Sequence, residues 1–128
     1  MRVRGGRSVR RRGENISSQE IEIEVSAYEH VREVAAYGVD LPGGEQEVMV
    51  CVAPKSGAVV DPKALIEFLI PRMAHFMVPR YVRVAAELPK TPTNKIQKVE
   101  LRKEGVTADT WDREAAGMRL RREKLSAH

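Results

Sequence analysis

Six consecutive apolar residues, Val48-Met49-Val50-Cys51-Val52-Ala53, constrain the fold of this chain more than any other stretch. Successive side chains of a strand point to opposite faces. A run that is apolar at every position therefore suits a central strand buried on both faces. Pro42-Gly43-Gly44 upstream is a turn signal. Before it, Val34-Ala35-Ala36-Tyr37-Gly38-Val39 reads as part of a second strand over residues 31–41. Two strands on a short turn make an antiparallel pair. Pro54-Lys55-Ser56-Gly57 ends the central one.

Helices are expected on either side of this pair in sequence. A serine at 17 or 18 can cap a helix by accepting from an orphan amide of the first turn, and Ser17 with Glu20 has capping-box spacing. Ile21, Val25 and Tyr28 then share one helical face, which predicts a helix over residues 18–29. Asp61-Pro62 is a second helix start, with Leu65, Ile66, Leu69 and Ile70 as the apolar face of a helix near 62–73. Pro71 ends or bends it. Residues 77–84 read as a loop feeding a third short strand, and order resumes over residues 96–102. Trp111, Ala115 and Met118 fall on one helical face, which predicts a final helix over residues 108–124 anchored by Trp111. The chain of 128 residues has room for one small domain. The expected fold class is α+β, a small sheet of about three strands flanked by helices.

The charge is concentrated at one end. Residues 1–12 carry six arginines and no acid, and the rest of the chain has 16 basic and 18 acidic side chains, a net of −2. The first twelve residues therefore read as a mobile basic arm on a near-neutral body, residues 13–128. This argues against nucleic acid as a partner, since a nucleic-acid domain spreads basic charge and aromatic side chains over a folded face. No apolar run approaches membrane-spanning length and no signal sequence is seen, so the expected location is cytoplasmic, with no membrane partner. One cysteine, Cys51, allows no internal disulfide and sits in an apolar strand as a core thiol. Three dispersed histidines have no metal-ligand spacing, so no metal site is expected.

Two loops carry candidate chemistry. Arg10-Arg11-Arg12-Gly13-Glu14-Asn15 lies just before a helix start. Arginine forks and a helix N-terminus both suit an anion, and a glycine admits close approach. The same residues also read as a connector with a solvated tail. Leu88-Pro89-Lys90-Thr91-Pro92-Thr93-Asn94-Lys95 cannot be regular structure. Two prolines stiffen it, and Lys95 at its tip suits delivery to a phosphate or a developing oxyanion. The alternative is a surface turn with one solvated lysine.

Taken in order, Arg12-Gly13-Glu14-Asn15-Ile16-Ser17-Ser18-Gln19-Glu20-Ile21-Glu22, Tyr37-Gly38-Val39, Val78-Pro79-Arg80-Tyr81-Val82 and Leu88 through Lys98 resemble the C-terminal lid subdomain of adenylate-forming enzymes. Residues 105–114 look most like the crotonobetaine/carnitine-CoA ligase branch. The resemblance covers residues 10–117. It implies a ligase that activates a carboxylic acid with ATP to acyl-AMP and pyrophosphate and then passes the acyl group to coenzyme A. ATP and CoA would be substrates, with magnesium, ATP and the acid held by a large N-terminal adenylation domain. None would be bound by this chain alone. Lys95 matches the lysine that the lid inserts for adenylation, an electrostatic clamp on the charge that gathers at the α-phosphate. Thr93 and Asn94 would support its loop. Arg12, Gly13 and Glu14 match the loop at the pantetheine tunnel of the thioester-forming pose, where a glycine leaves room for a narrow thiol arm.

The chain departs from the family pattern in two places. Asn94 stands where the family commonly has glycine, but asparagine tolerates the same left-handed backbone, so the loop should survive. No acid precedes Glu14, so the usual Asp-Arg hinge has no counterpart. The phosphate-binding loop and acid pocket of the large domain also have none, and the isolated chain is expected to be inactive without that partner. Two other expectations compete. One is a stand-alone spare lid that docks on another ligase. The other is a module that binds polyanions through the arginine arm.

Overall fold

The computed structural model describes residues 8–11, 14–42, 44 and 46–117. Strand β1 (Ser8–Arg11) pairs antiparallel with β2 (Glu14–Ser17). A strand thus occupies residues 8–11, within the stretch that reads as an arm from sequence. Helix α1 (Ser18–Ser26) follows at once. Ser17 has extended backbone and its Oγ accepts from the Glu20 amide at 3.3 Å, the cap that the S-x-x-E spacing predicts.

The main sheet holds β3 (Val31–Asp40), β4 (Gln46–Pro54), β5 (Tyr81–Val84) and the two-residue β6 (Trp111–Asp112), in that spatial order. β3 and β4 are antiparallel, as the short turn predicts. β4 and β5 are parallel, because α2 (Pro62–Leu69) carries the chain back to the starting edge. Asp61 and Pro62 open α2 as expected, while its last turn tightens into a 3₁₀ turn at Ile70–Arg72, where Pro71 stands. A second 3₁₀ turn (His75–Met77) precedes β5, and helix α3 (Lys98–Glu104) lies between β5 and β6 in the chain.

β4 explains the architecture. Its Val48, Val50 and Val52 face one layer, where Ile21 and Val25 of α1 and Leu65, Ile66 and Leu69 of α2 are buried with them. Its Met49 and Cys51 face the other, with Tyr37, Leu88 and Leu101 of α3. The every-position apolar run is thus covered on both sides.

The helix expected over residues 108–124 is a correction. Trp111 and Asp112 form β6, pairing with Val82 and Tyr81, and residues 113–117 are turns; residues 118–124 lie outside the described part. Asp112 explains the switch. Its carboxylate takes both arms of Arg80 (Nε–Oδ1 3.0 Å, Nη2–Oδ2 3.2 Å) and caps the Glu114 amide at 2.9 Å. The buried Arg113 donates its amide to the Arg80 carbonyl at 2.8 Å and its Nε to the Pro79 carbonyl at 3.3 Å. These pairings outweigh a helical spacing whose second member, Ala115, is exposed. Trp111 still packs on the core, from a strand rather than a helix. The sheet accordingly has four strands where sequence predicts about three.

Candidate functional site

The loop bearing Lys95 is a tight hairpin turn. The Asn94 amide donates to the Thr91 carbonyl at 2.8 Å, and the Thr91 amide donates to the Lys95 carbonyl at 2.8 Å. Lys90 and Ile96 form a bridge across its base, and the Gln97 amide reaches the Pro89 carbonyl at 2.8 Å. Asn94 has φ +69°, the only positive φ outside glycine among the described residues. A three-residue hairpin loop whose last residue is left-handed is a recurrent solution to this reversal. Asparagine therefore does here what glycine would, as expected from sequence.

Threonine side chains stiffen the turn from inside. Thr91 Oγ1 accepts from the Lys95 amide at 3.1 Å and lies 3.0 Å from Thr93 Oγ1. Thr91 was not singled out from sequence; its place before a proline in a turn was the available signal. Thr93, Asn94 and Lys95 are thus brought together on one exposed reversal. Leu88 and the half-buried Ile96 join the cluster on the α3 side of the sheet, so hydrophobic burial fixes the base of the turn.

Three lysines surround this turn, and two are committed. Lys90 Nζ meets both oxygens of Glu33 on β3, at 3.0 and 2.9 Å. Lys98 Nζ lies 2.6 Å from Glu22 Oε2 of α1 and 3.3 Å from Ser18 Oγ. The same Glu22 oxygen accepts the Ala36 amide at the open edge of β3, at 2.9 Å. Lys95 alone of the three has no ion-pair partner among the described residues. Lys95 closes this constrained turn opposite Thr91 and is exposed. Such a cation can stabilise a concentrated negative charge brought to it by another surface.

Arg12 and Gly13 lie outside the described residues. Glu14 begins β2, paired in register with Arg11, immediately ahead of α1. β2 leads directly into α1, whose Glu22 and Ser18 hold Lys98.

Among the described residues no group of three or more His, Cys, Asp or Glu is placed to hold a metal ion, and no helix is long and apolar enough to cross a membrane. His75 stacks edge-on to Phe76 at 5.6 Å between ring centroids, and Cys51 is fully buried. Burial pushes the Cys51 thiol up to about 11. It also raises the buried Tyr37 hydroxyl well above its ordinary value. Both groups are therefore neutral core members at physiological pH.

Comparison with known proteins shows the family of this chain. Residues 20–95, more than half of the chain, match the family described as AMP-binding enzyme C-terminal domain, and the match ends on Lys95 itself. The medium/long-chain-fatty-acid–CoA ligase FadD6 of Mycobacterium tuberculosis is 33% identical over 108 residues, covering 84% of this chain and 18% of that protein. Human long-chain fatty acid transport protein 1 is 35% identical over 104 residues, covering 81% and 16% respectively. The structure of ATP-bound MatB from Rhodopseudomonas palustris superposes with a TM-score of 0.73 at 31% identity, over 78% of this chain and 20% of that one. The chain thus spans less than a fifth of the length of these curated relatives. By sequence and by fold, the chain belongs to the AMP-binding enzyme C-terminal domain family.

Proposed function

We propose that this chain is the lid of an ATP-dependent acyl-CoA ligase and that Lys95 is its adenylation residue. The supporting observation is that Lys95 has no ion-pair partner among the described residues, on a turn whose two neighbouring lysines are tied down. Attack of a carboxylate on the α-phosphate of ATP gathers negative charge on both reactants. A cation held between attacking oxygen and phosphate lowers that barrier without moving a proton. Preorganisation matters as much as charge, because a mobile lysine would lose entropy at every turnover. The Thr91–Thr93 contact and the left-handed Asn94 supply that preorganisation here.

ATP, magnesium and the acid would be held by a large partner domain, and the Arg12-Gly13-Glu14 loop would face the pantetheine arm of CoA in the second half-reaction. The isolated chain would then be catalytically silent. The acid activated is a property of the partner's pocket.

The test joins this chain to the large domain of a relative such as MatB lacking its own C-terminal part. ATP–pyrophosphate exchange should appear with the added chain and fall by roughly 10²–10³-fold in Lys95→Ala. Thioester formation from supplied acyl-AMP should be retained. Exchange that persists in Lys95→Ala overturns the assignment. No exchange with the wild-type chain, where MatB's own lid restores it, counts against the lid role.

A further inference from the structure

We propose that Glu33 and Glu22 are positioning residues for Lys95, acting through their ion pairs with Lys90 and Lys98 to hold both ends of the turn. The inference rests on the adenylation role of Lys95 for its catalytic consequence, but its structural content stands alone.

The two pairs bracket the turn in sequence and anchor it to different elements. Lys90, five residues before Lys95, is gripped by β3 through Glu33. Lys98, three residues after it, is gripped by α1 through Glu22 and Ser18. Arg32, which also lies 3.5 Å from Glu33 Oε1, ties the segment after β5 to the end of β4 by donating to the Ala86 carbonyl at 2.9 Å and the Pro54 carbonyl at 3.2 Å.

These pairs differ from ordinary surface pairs. Side chains of Lys90 and Glu33 are 18% and 20% exposed, and those of Lys98 and Glu22 are both 24% exposed. By contrast, Lys103 and Glu100 on α3 lie 3.8 Å apart at 69% and 48% exposure. An exposed pair is screened and entropically costly, and contributes little. A half-sheltered pair with short contacts restricts two side chains and the backbone behind them. Glu22 is further fixed by the Ala36 amide, so Lys98 is held to a point defined by the sheet edge. The geometry thus places Lys95 at a set distance from β3 and α1, with only the tip of the turn left open.

The test is hydrogen exchange on the 128-residue chain, with Glu33→Gln, Glu22→Gln and the charge swap Glu33→Lys with Lys90→Glu. The single variants should speed exchange of the Thr91, Asn94 and Gln97 amides by roughly tenfold, leaving the Val50 and Val52 amides of β4 unchanged. The swap should restore protection at the Thr91 amide. Unchanged loop amides, or a uniform rise that includes β4 in both Glu33→Gln and the milder Lys90→Met, overturn the proposal.

Joined to a large domain, Glu33→Gln should lower adenylation turnover roughly ten- to a hundredfold, with the KM for the acid and the thioester half-reaction unchanged. Equal loss in both half-reactions would show a merely structural role. Should Lys95→Ala leave adenylation intact, the adenylation reading fails, while the exchange experiment still decides whether the pairs hold the turn.

Discussion

Asn94 shows how one backbone angle can carry a site. At φ +69° a β-branched residue is strained, whereas glycine is at ease. Asn94→Val should therefore cost about 1–2 kcal/mol in urea unfolding, and Asn94→Gly should stay within about 0.5 kcal/mol of the parent. Cys51 gives a residue-scale pH prediction. The unfolded chain ionises this thiol near 9, while the folded chain keeps its proton to about 11. The unfolded state binds fewer protons in that window, so stability falls as pH rises through it. Cys51→Ala should flatten that part of the urea-stability profile, and native Cys51 should resist thiol reagents until the protein unfolds. Both residues were legible from sequence, Asn94 by its tolerance of left-handed backbone and Cys51 by its apolar neighbours. Glu33 and Glu22 were not singled out, since a glutamate in a sequence does not announce which lysine, 57 or 76 positions away, it will meet.

Elements with strong local signals formed where expected. The Ser17 cap and the Asp61-Pro62 start placed two helices, and the prolines and apolar runs placed three strands. The β1–β2 pair had no local signal, and at β6 helical spacing lost to the Arg80–Asp112 pairing. Burial alone would raise the Asp112 carboxyl, but the Arg80 guanidinium and the Glu114 amide hold it below its ordinary 3.8. A lowered carboxylate contributes its stability above that value and loses it as pH falls through the folded one. Asp112→Asn should therefore be less stable than wild type at about pH 6, with the gap closing toward about pH 2. A gap that does not change with pH would mean that the charge on Asp112 does not hold β6.

At the scale of the molecule, one strand serves two cores. Leu69 belongs to the cluster on the α1–α2 side and Leu101 to the one on the α3 side, and both clusters share β4. Leu69→Ala and Leu101→Ala should each cost about 2–5 kcal/mol. Either should shift a single transition, seen alike by Trp111 fluorescence and by backbone circular dichroism. Two separated transitions would show the layers to be independent. The sequence by itself determined the central strand, the helix starts, the lysine-tipped turn and the family, because each depends on residues adjacent in the chain or on motifs in order. Only the tertiary structure decided the parallel β4–β5 pairing, the conversion of a predicted helix into β6, and which two of the three lysines are held in ion pairs. Those outcomes rest on contacts between residues far apart in sequence, whose strength depends on burial and distance that no local pattern encodes.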